Sequence, residues 1–154
     1  LPLLTSSLAR WHVKPPEGWV RTRVPFAPHG TAEIVLHPSV AHYSPTYLIH
    51  MAFLAELLAQ LLSEWPTATW ELPASRPAEG VPDAILHRER QRWAVEVDLS
   101  YSRAKILRKA RYYRLAYDGQ VWGTTTRRRE RDLRAAAWPK PLCVKILAPK
   151  EVLS

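Results

Sequence analysis

The sequence predicts a mixed α/β domain, an α+β sheet flanked by helices, in the order helix, three strands, helix, strand, helix, strand. Three observations carry this reading. Residues 45–64 form one long, mostly apolar run with helix-start chemistry at its head. Residues 83–88 and 92–99 read as two strands joined by a charged turn. Two further strand-like runs, 120–125 and 142–147, each follow a helix-length segment. Strands that follow helices imply crossover connections and a mixed sheet.

Residues 1–44 are punctuated by Pro15, Pro16, Pro25, Pro28 and Pro38, and form a Pro-rich N-terminal arm or a small β layer. Short strands are expected at 20–24 and 32–36, with Trp11 and Trp19 packing on them. His12, His29, His37 and His42 are scattered without the tight spacing of metal ligands. The second domain, 45–154, opens on Ser44-Pro45, an N-cap hydroxyl followed by a proline at the first helical position. The helix runs to Glu64 and is apolar around most of its girth, with Glu56, Gln60 and Ser63 as a narrow polar stripe. Trp65-Pro66 ends it. A short strand at 68–72 and a loop at 73–80 follow.

After the two charged-turn strands, Ser100 or Ser102 caps a helix reaching Tyr117. Its apolar stripe is Ile106, Ala110, Tyr113 and Tyr117. Lys105, Arg108, Lys109 and Tyr112 make one flank, and Arg103, Arg111 and Arg114 the other. Asp118-Gly119 is a turn. A β-branched and aromatic strand, a third helix at 127–137 and a buried apolar strand at 142–147 complete the chain. Trp122 is expected in the core.

Composition narrows the partners. The net charge is +8 over 154 residues, which points to a polyanion such as nucleic acid. Residues 88–134 hold fourteen Lys and Arg against six Asp and Glu, so the whole excess lies in that block. A single-sign surplus in one block is less typical of a merely solvated face than mixed charge. The one cysteine, Cys143, allows no internal disulfide and no cysteine zinc cluster, and is expected as a small buried residue. A reducing, cytoplasmic setting fits. The apolar run 48–62 is too short to span a bilayer and is interrupted by Glu56 and Gln60. The chain starts on Leu, as a piece of a longer protein would. It lacks Asn and is rich in Pro and Arg, a mix compatible with a thermophile.

Acidic residues within the strands carry the chemistry. Asp83 opens one strand, and Glu96 and Asp98 lie in the next, two residues apart and therefore on one face. A carboxylate inside a strand is costly unless something pairs with it. Three converging carboxylates call for a cation: Mg²⁺, Mn²⁺, or an Arg or Lys. The bland alternative is that Asp83 caps a turn while Glu96 and Asp98 pair with arginines. The basic helix can hold phosphates, with Tyr112 and Tyr113 on sugars or bases, or can simply cover core edges with arginine stems. Arg127, Arg128 and Arg129 oppose the dipole of the helix they open unless anions are near, either a bound DNA backbone or Glu130 and Asp132 next in the chain.

Pro82-Asp83, then Glu96-x-Asp98, then a basic helix ending in Arg111-Tyr112-Tyr113 resembles the PD-(D/E)xK nuclease superfamily over residues 45–147. Within it the pattern is most similar to the nuclease-like domain of plasmid replication-relaxation proteins. The resemblance implies a restriction-endonuclease-like core. It implies Mg²⁺ or Mn²⁺ held by Asp83 and Glu96, with Asp98 beside them, and DNA as substrate. Asp98 stands where such nucleases carry a catalytic lysine. Lys105, on the following helix, is the nearest substitute, and Glu56 matches the position of an additional acid.

The expected function is therefore DNA binding with metal-dependent phosphodiester cleavage, in which Asp83, Glu96, Asp98 and Lys105 are the catalytic set. Arg103, Lys105, Arg108, Lys109, Arg111, Tyr112, Arg127, Arg128 and Arg129 would contact DNA. The alternatives are an inactive DNA-binding accessory of plasmid replication or mobilisation, and a protein-interaction module. DNA is the expected partner, a homodimer the alternative to a monomer, and no membrane is involved.

Overall fold

The computed structural model describes residues 3–4, 14–25, 31–73 and 80–147. Trp11, His12 and His29 lie outside them. The chain forms two compact units, one containing residues up to Ala59 and the other Gln60–Leu147. The division falls inside the long helix, whereas the sequence suggested a boundary just before it.

The first unit carries a three-stranded antiparallel sheet in the order β1-β3-β2: β1 Leu3–Leu4, β2 Val20–Pro25 and β3 Thr31–Leu36. The central strand buries Ala32, Ile34, Val35 and Leu36, as a strand covered on both faces does. Helix α1, Pro45–Glu64, begins as the sequence predicts: the Ser44 hydroxyl accepts from the Tyr47 backbone N–H at 3.2 Å. Leu48, Ile49, Met51, Ala52, Phe53, Leu54 and Leu57 are all buried. Counted over its full 20 residues the helix is long and apolar enough to cross a membrane, which corrects the shorter run measured from sequence. More than half of that apolar window is buried inside the protein, as a core helix is.

The second unit is mixed α+β. Its five-stranded sheet runs β4-β5-β6-β7-β8, with β4 Thr69–Glu71, β5 Ala84–Arg88, β6 Gln91–Asp98, β7 Gly119–Thr124 and β8 Leu142–Ile146. β4, β5 and β6 pair antiparallel, and β6, β7 and β8 parallel. The β5–β6 turn is the two residues Glu89 and Arg90, both left-handed with φ of 49° and 66°. That is the conformation whose twist suits a tight hairpin. Helices α2, Arg103–Ala116, and α3, Glu130–Ala137, make the two parallel crossovers.

The α2 stripe read from sequence is the buried one. Ile106, Ala110 and Tyr113 join Ala94 and Trp122 of the sheet and Leu133 and Ala136 of α3 in one core cluster. Gln120 is buried among them with its amide satisfied. It donates to the Ala110 carbonyl at 2.8 Å and accepts from the Trp122 indole at 3.0 Å.

Two expectations change. β8 is an edge strand and is only half-buried throughout, Cys143 included, because nothing pairs with its outer side among the described residues. Arg127, Arg128 and Arg129 form a 3-10 turn ahead of α3, with the Thr126 hydroxyl capping the Arg128 N–H. The α-helical first turn brings in Glu130 and Asp132, the pair expected to offset the arginines against the helix dipole.

Candidate functional site

Asp83 stands one residue before β5. The Ala84–Val95 pairing sets it opposite the stretch of β6 that contains Glu96. Its carboxylate accepts from the Val97 backbone N–H at 2.8 Å. Glu96 points to the helix-covered face and is wholly buried. Both its oxygens are in use. Oε1 receives the Lys109 ammonium at 2.7 Å and the Tyr101 hydroxyl at 3.0 Å, and Oε2 receives the Tyr113 hydroxyl at 2.7 Å. Lys109 also donates to the Tyr113 oxygen at 2.9 Å and reaches the Val81 carbonyl at 3.4 Å. Its three protons thus face three acceptors.

Electrostatics follow from this enclosure. Burial pushes the Glu96 carboxyl above its ordinary value, and the charge of Asp83 nearby adds to the shift, while Lys109 and Tyr113 oppose it. The hydroxyls of Tyr101 and Tyr113 are driven strongly upward, by burial first and then by the negative charge of Glu96. Both therefore remain protonated donors.

The cation on the acidic pair is Lys109, not Lys105. The Lys105 ammonium instead lies 3.7 Å over the face of the Tyr101 ring, a cation–π contact. Lys109, grouped by sequence with the phosphate-facing residues, points inward. The signal was in the sequence: Lys109 is three residues after Ile106 and four before Tyr113, on the same helical face as both. Tyr113, expected beside Tyr112 on sugars or bases, is instead wholly buried with its hydroxyl on Glu96; Tyr101 as a carboxylate donor and Trp138 on the surface were not foreseen.

Asp98 has a different task. Its Oδ1 accepts from the Tyr101 N–H at 2.8 Å, closing the turn between β6 and α2. Its Oδ2 lies 3.8 Å from Arg129, whose Nη2 donates to the Tyr101 carbonyl at 2.7 Å. Arg129 thus ties the β6–α2 corner to the 3-10 turn. Glu56 is buried in the portion of α1 belonging to the first unit.

These residues do not fit a divalent metal. An ammonium stands 2.7 Å from Glu96 Oε1. The other Glu96 oxygen holds a tyrosine hydroxyl, and Asp98 is turned toward Arg129. Among the described residues no three of His, Cys, Asp and Glu gather as a ligand group.

The remaining candidates lie on the outside. Arg108, Arg111 and Tyr112 occupy the exposed face of α2. Arg103 is exposed but held by Asp132 of α3 through two bonds, at 2.7 and 3.0 Å. Arg127 and Arg128 are exposed, while Arg129 is largely covered. The structure thus separates an inner, neutralised cluster from an outer cationic surface. No known protein family, curated protein or solved structure matches this chain.

Proposed function

We propose that this chain is a DNA-binding protein on a restriction-endonuclease-like core, whose acidic site is closed by its own lysine and does not cleave. The observation that carries the reading is the burial of Lys109 against Glu96, beneath an α2 surface of exposed arginines. The inner carboxylate is compensated, so the positive excess is left to the outside. There Arg108, Arg111, Arg127 and Arg128 face solvent, where phosphates can reach them and their neutralisation releases counterions. An accessory role in plasmid replication or mobilisation fits such an activity.

Metal-dependent cleavage is the competing reading. The nearness of Asp83 to Glu96, felt as a rise in the Glu96 pKa, is in its favour.

Fluorescence anisotropy with a labelled oligonucleotide, repeated over a salt series, tests the proposal. Affinity is expected to fall steeply with salt. Replacing Arg108 and Arg111 by Ala should reduce the slope by about one unit for each phosphate that is no longer neutralised. Supercoiled DNA incubated with Mg²⁺, Mn²⁺ or EDTA should stay intact. Nicking that needs metal and disappears in Asp83→Ala establishes the competing reading. Absence of affinity at low salt refutes both.

A further inference from the structure

The outer face of α2 is not only cationic. Leu115 is 78% exposed and Tyr112 50%, and beside the helix end Trp138 is 74% exposed. Three large apolar side chains in solvent around one helix end are costly to leave uncovered. They are not scattered. Arg108, Arg111, Tyr112, Arg114 and Leu115 line one open depression together with Gly80. Arg114, which lines it, also donates to the backbone carbonyl of the exposed Trp138 at 3.4 Å, which places that residue's backbone within one arginine's reach of the depression.

The tyrosine is set as a platform. A Cβ at Gly80 would lie 2.6 Å from Tyr112 Cε1, so only a glycine lets the ring rest on the backbone there. Gly80 also has a φ of +91°, which side-chain-bearing residues avoid. The ring is thus backed on one side while half its surface faces solvent. Its neighbours are guanidinium groups, which attract phosphate and themselves stack on flat rings.

Arginines interleaved with exposed aromatic rings match a ligand with phosphates along one edge and flat apolar faces along the other. A duplex hides its base faces in the stack; an unpaired strand presents them. Resting on the proposal of DNA binding, we infer that this depression binds unpaired DNA, with bases stacking on Tyr112 and Trp138 and phosphates on Arg108 and Arg111. The apolar patch and the positive charge then serve one ligand: the rings take the bases and the arginines the backbone.

The test uses the whole chain and three labelled probes of equal length: an oligo-dT strand, a duplex, and an abasic strand of the same charge. Oligo-dT is expected to bind most tightly and to quench tryptophan fluorescence. Trp138→Phe should remove much of that quenching while leaving oligo-dT affinity within a few-fold, since an aromatic ring remains. Trp138→Ala and Tyr112→Ala should each weaken oligo-dT binding about tenfold or more and change duplex and abasic binding less than twofold. Both replaced side chains are exposed, and unchanged thermal unfolding of the variants confirms that each is folded. Duplex binding equal to or tighter than oligo-dT binding, insensitive to both alanine variants, overturns this inference and leaves DNA binding itself standing. Tighter binding of a poly-glutamate peptide than of any DNA, or of no DNA at all, overturns both.

Discussion

Lys109 and Glu96 show how much one buried pair can rest on its partners. Taking two charges out of water is costly, and their attraction compensates only when every remaining donor and acceptor is satisfied. Here Tyr101, Tyr113 and the Val81 carbonyl supply those partners. Removing one charge should therefore be severe. Lys109→Met is expected to lower unfolding free energy by about 3–5 kcal/mol, measured by urea denaturation, and Glu96→Gln in the same background should recover part of the loss. The effect has a pH signature. Glu96 titrates above its ordinary 4.5 in the folded protein, because of burial and then Asp83. A raised folded pKa means the folded state holds its proton where the unfolded chain has lost it. The associated stability is fully present below the unfolded value and declines as pH rises through the folded one. Lys109 opposes that decline, so the gap between wild type and Lys109→Met should be wider at about pH 8 than at about pH 5. An equal gap at both would show that the loss is one of packing rather than charge.

At the level of elements, local chemistry was legible wherever it was strong. Ser44-Pro45 and Trp65-Pro66 bracket α1 as they do in the sequence, and the Ile106, Ala110, Tyr113 spacing names the inner face of α2. What the sequence hid depended on tertiary partners. The spacing of Lys109 puts it on the face of Ile106 and Tyr113, but what makes an inward lysine favourable there is Glu96, thirteen residues earlier and on another element. The three arginines at 127–129 looked like a helix start, yet they form a 3-10 turn, capped by Thr126, ahead of the α-helix. Asp98 looked like a ligand because alternation put it beside Glu96, but it serves the turn that follows the strand. The β5–β6 hairpin yields a prediction of its own. Glu89 and Arg90 both adopt positive φ without being glycine or asparagine, which costs about 1 kcal/mol or more each. Arg90→Gly should therefore raise stability by about 1 kcal/mol, seen as a rise of several degrees in Tm. A fall would mean that the Arg90 side chain contributes more than its backbone costs.

For the molecule as a whole, the mixed sheet with its two crossovers could be read from element order alone. The partition could not: α1 is continuous in sequence while the two compact units divide within it. The candidate site was half legible. Asp83 and Glu96 were found as neighbours, but whether they hold a metal or a lysine depends on which residue of α2 turns inward. The enclosed pair also divides the protein's charges into two populations that obey different rules. Dissolved ions screen the arginines on the surface within about 10 Å at 0.1 M salt, but reach a buried pair far less. Raising salt from about 0.05 to 0.5 M should strip bound DNA while the unfolding midpoint moves little, and EDTA should leave that midpoint where it was. Lys109 is in effect a counterion fastened to the chain: it cannot be diluted, chelated or exchanged, so Glu96 keeps its compensating charge whatever salt surrounds the protein.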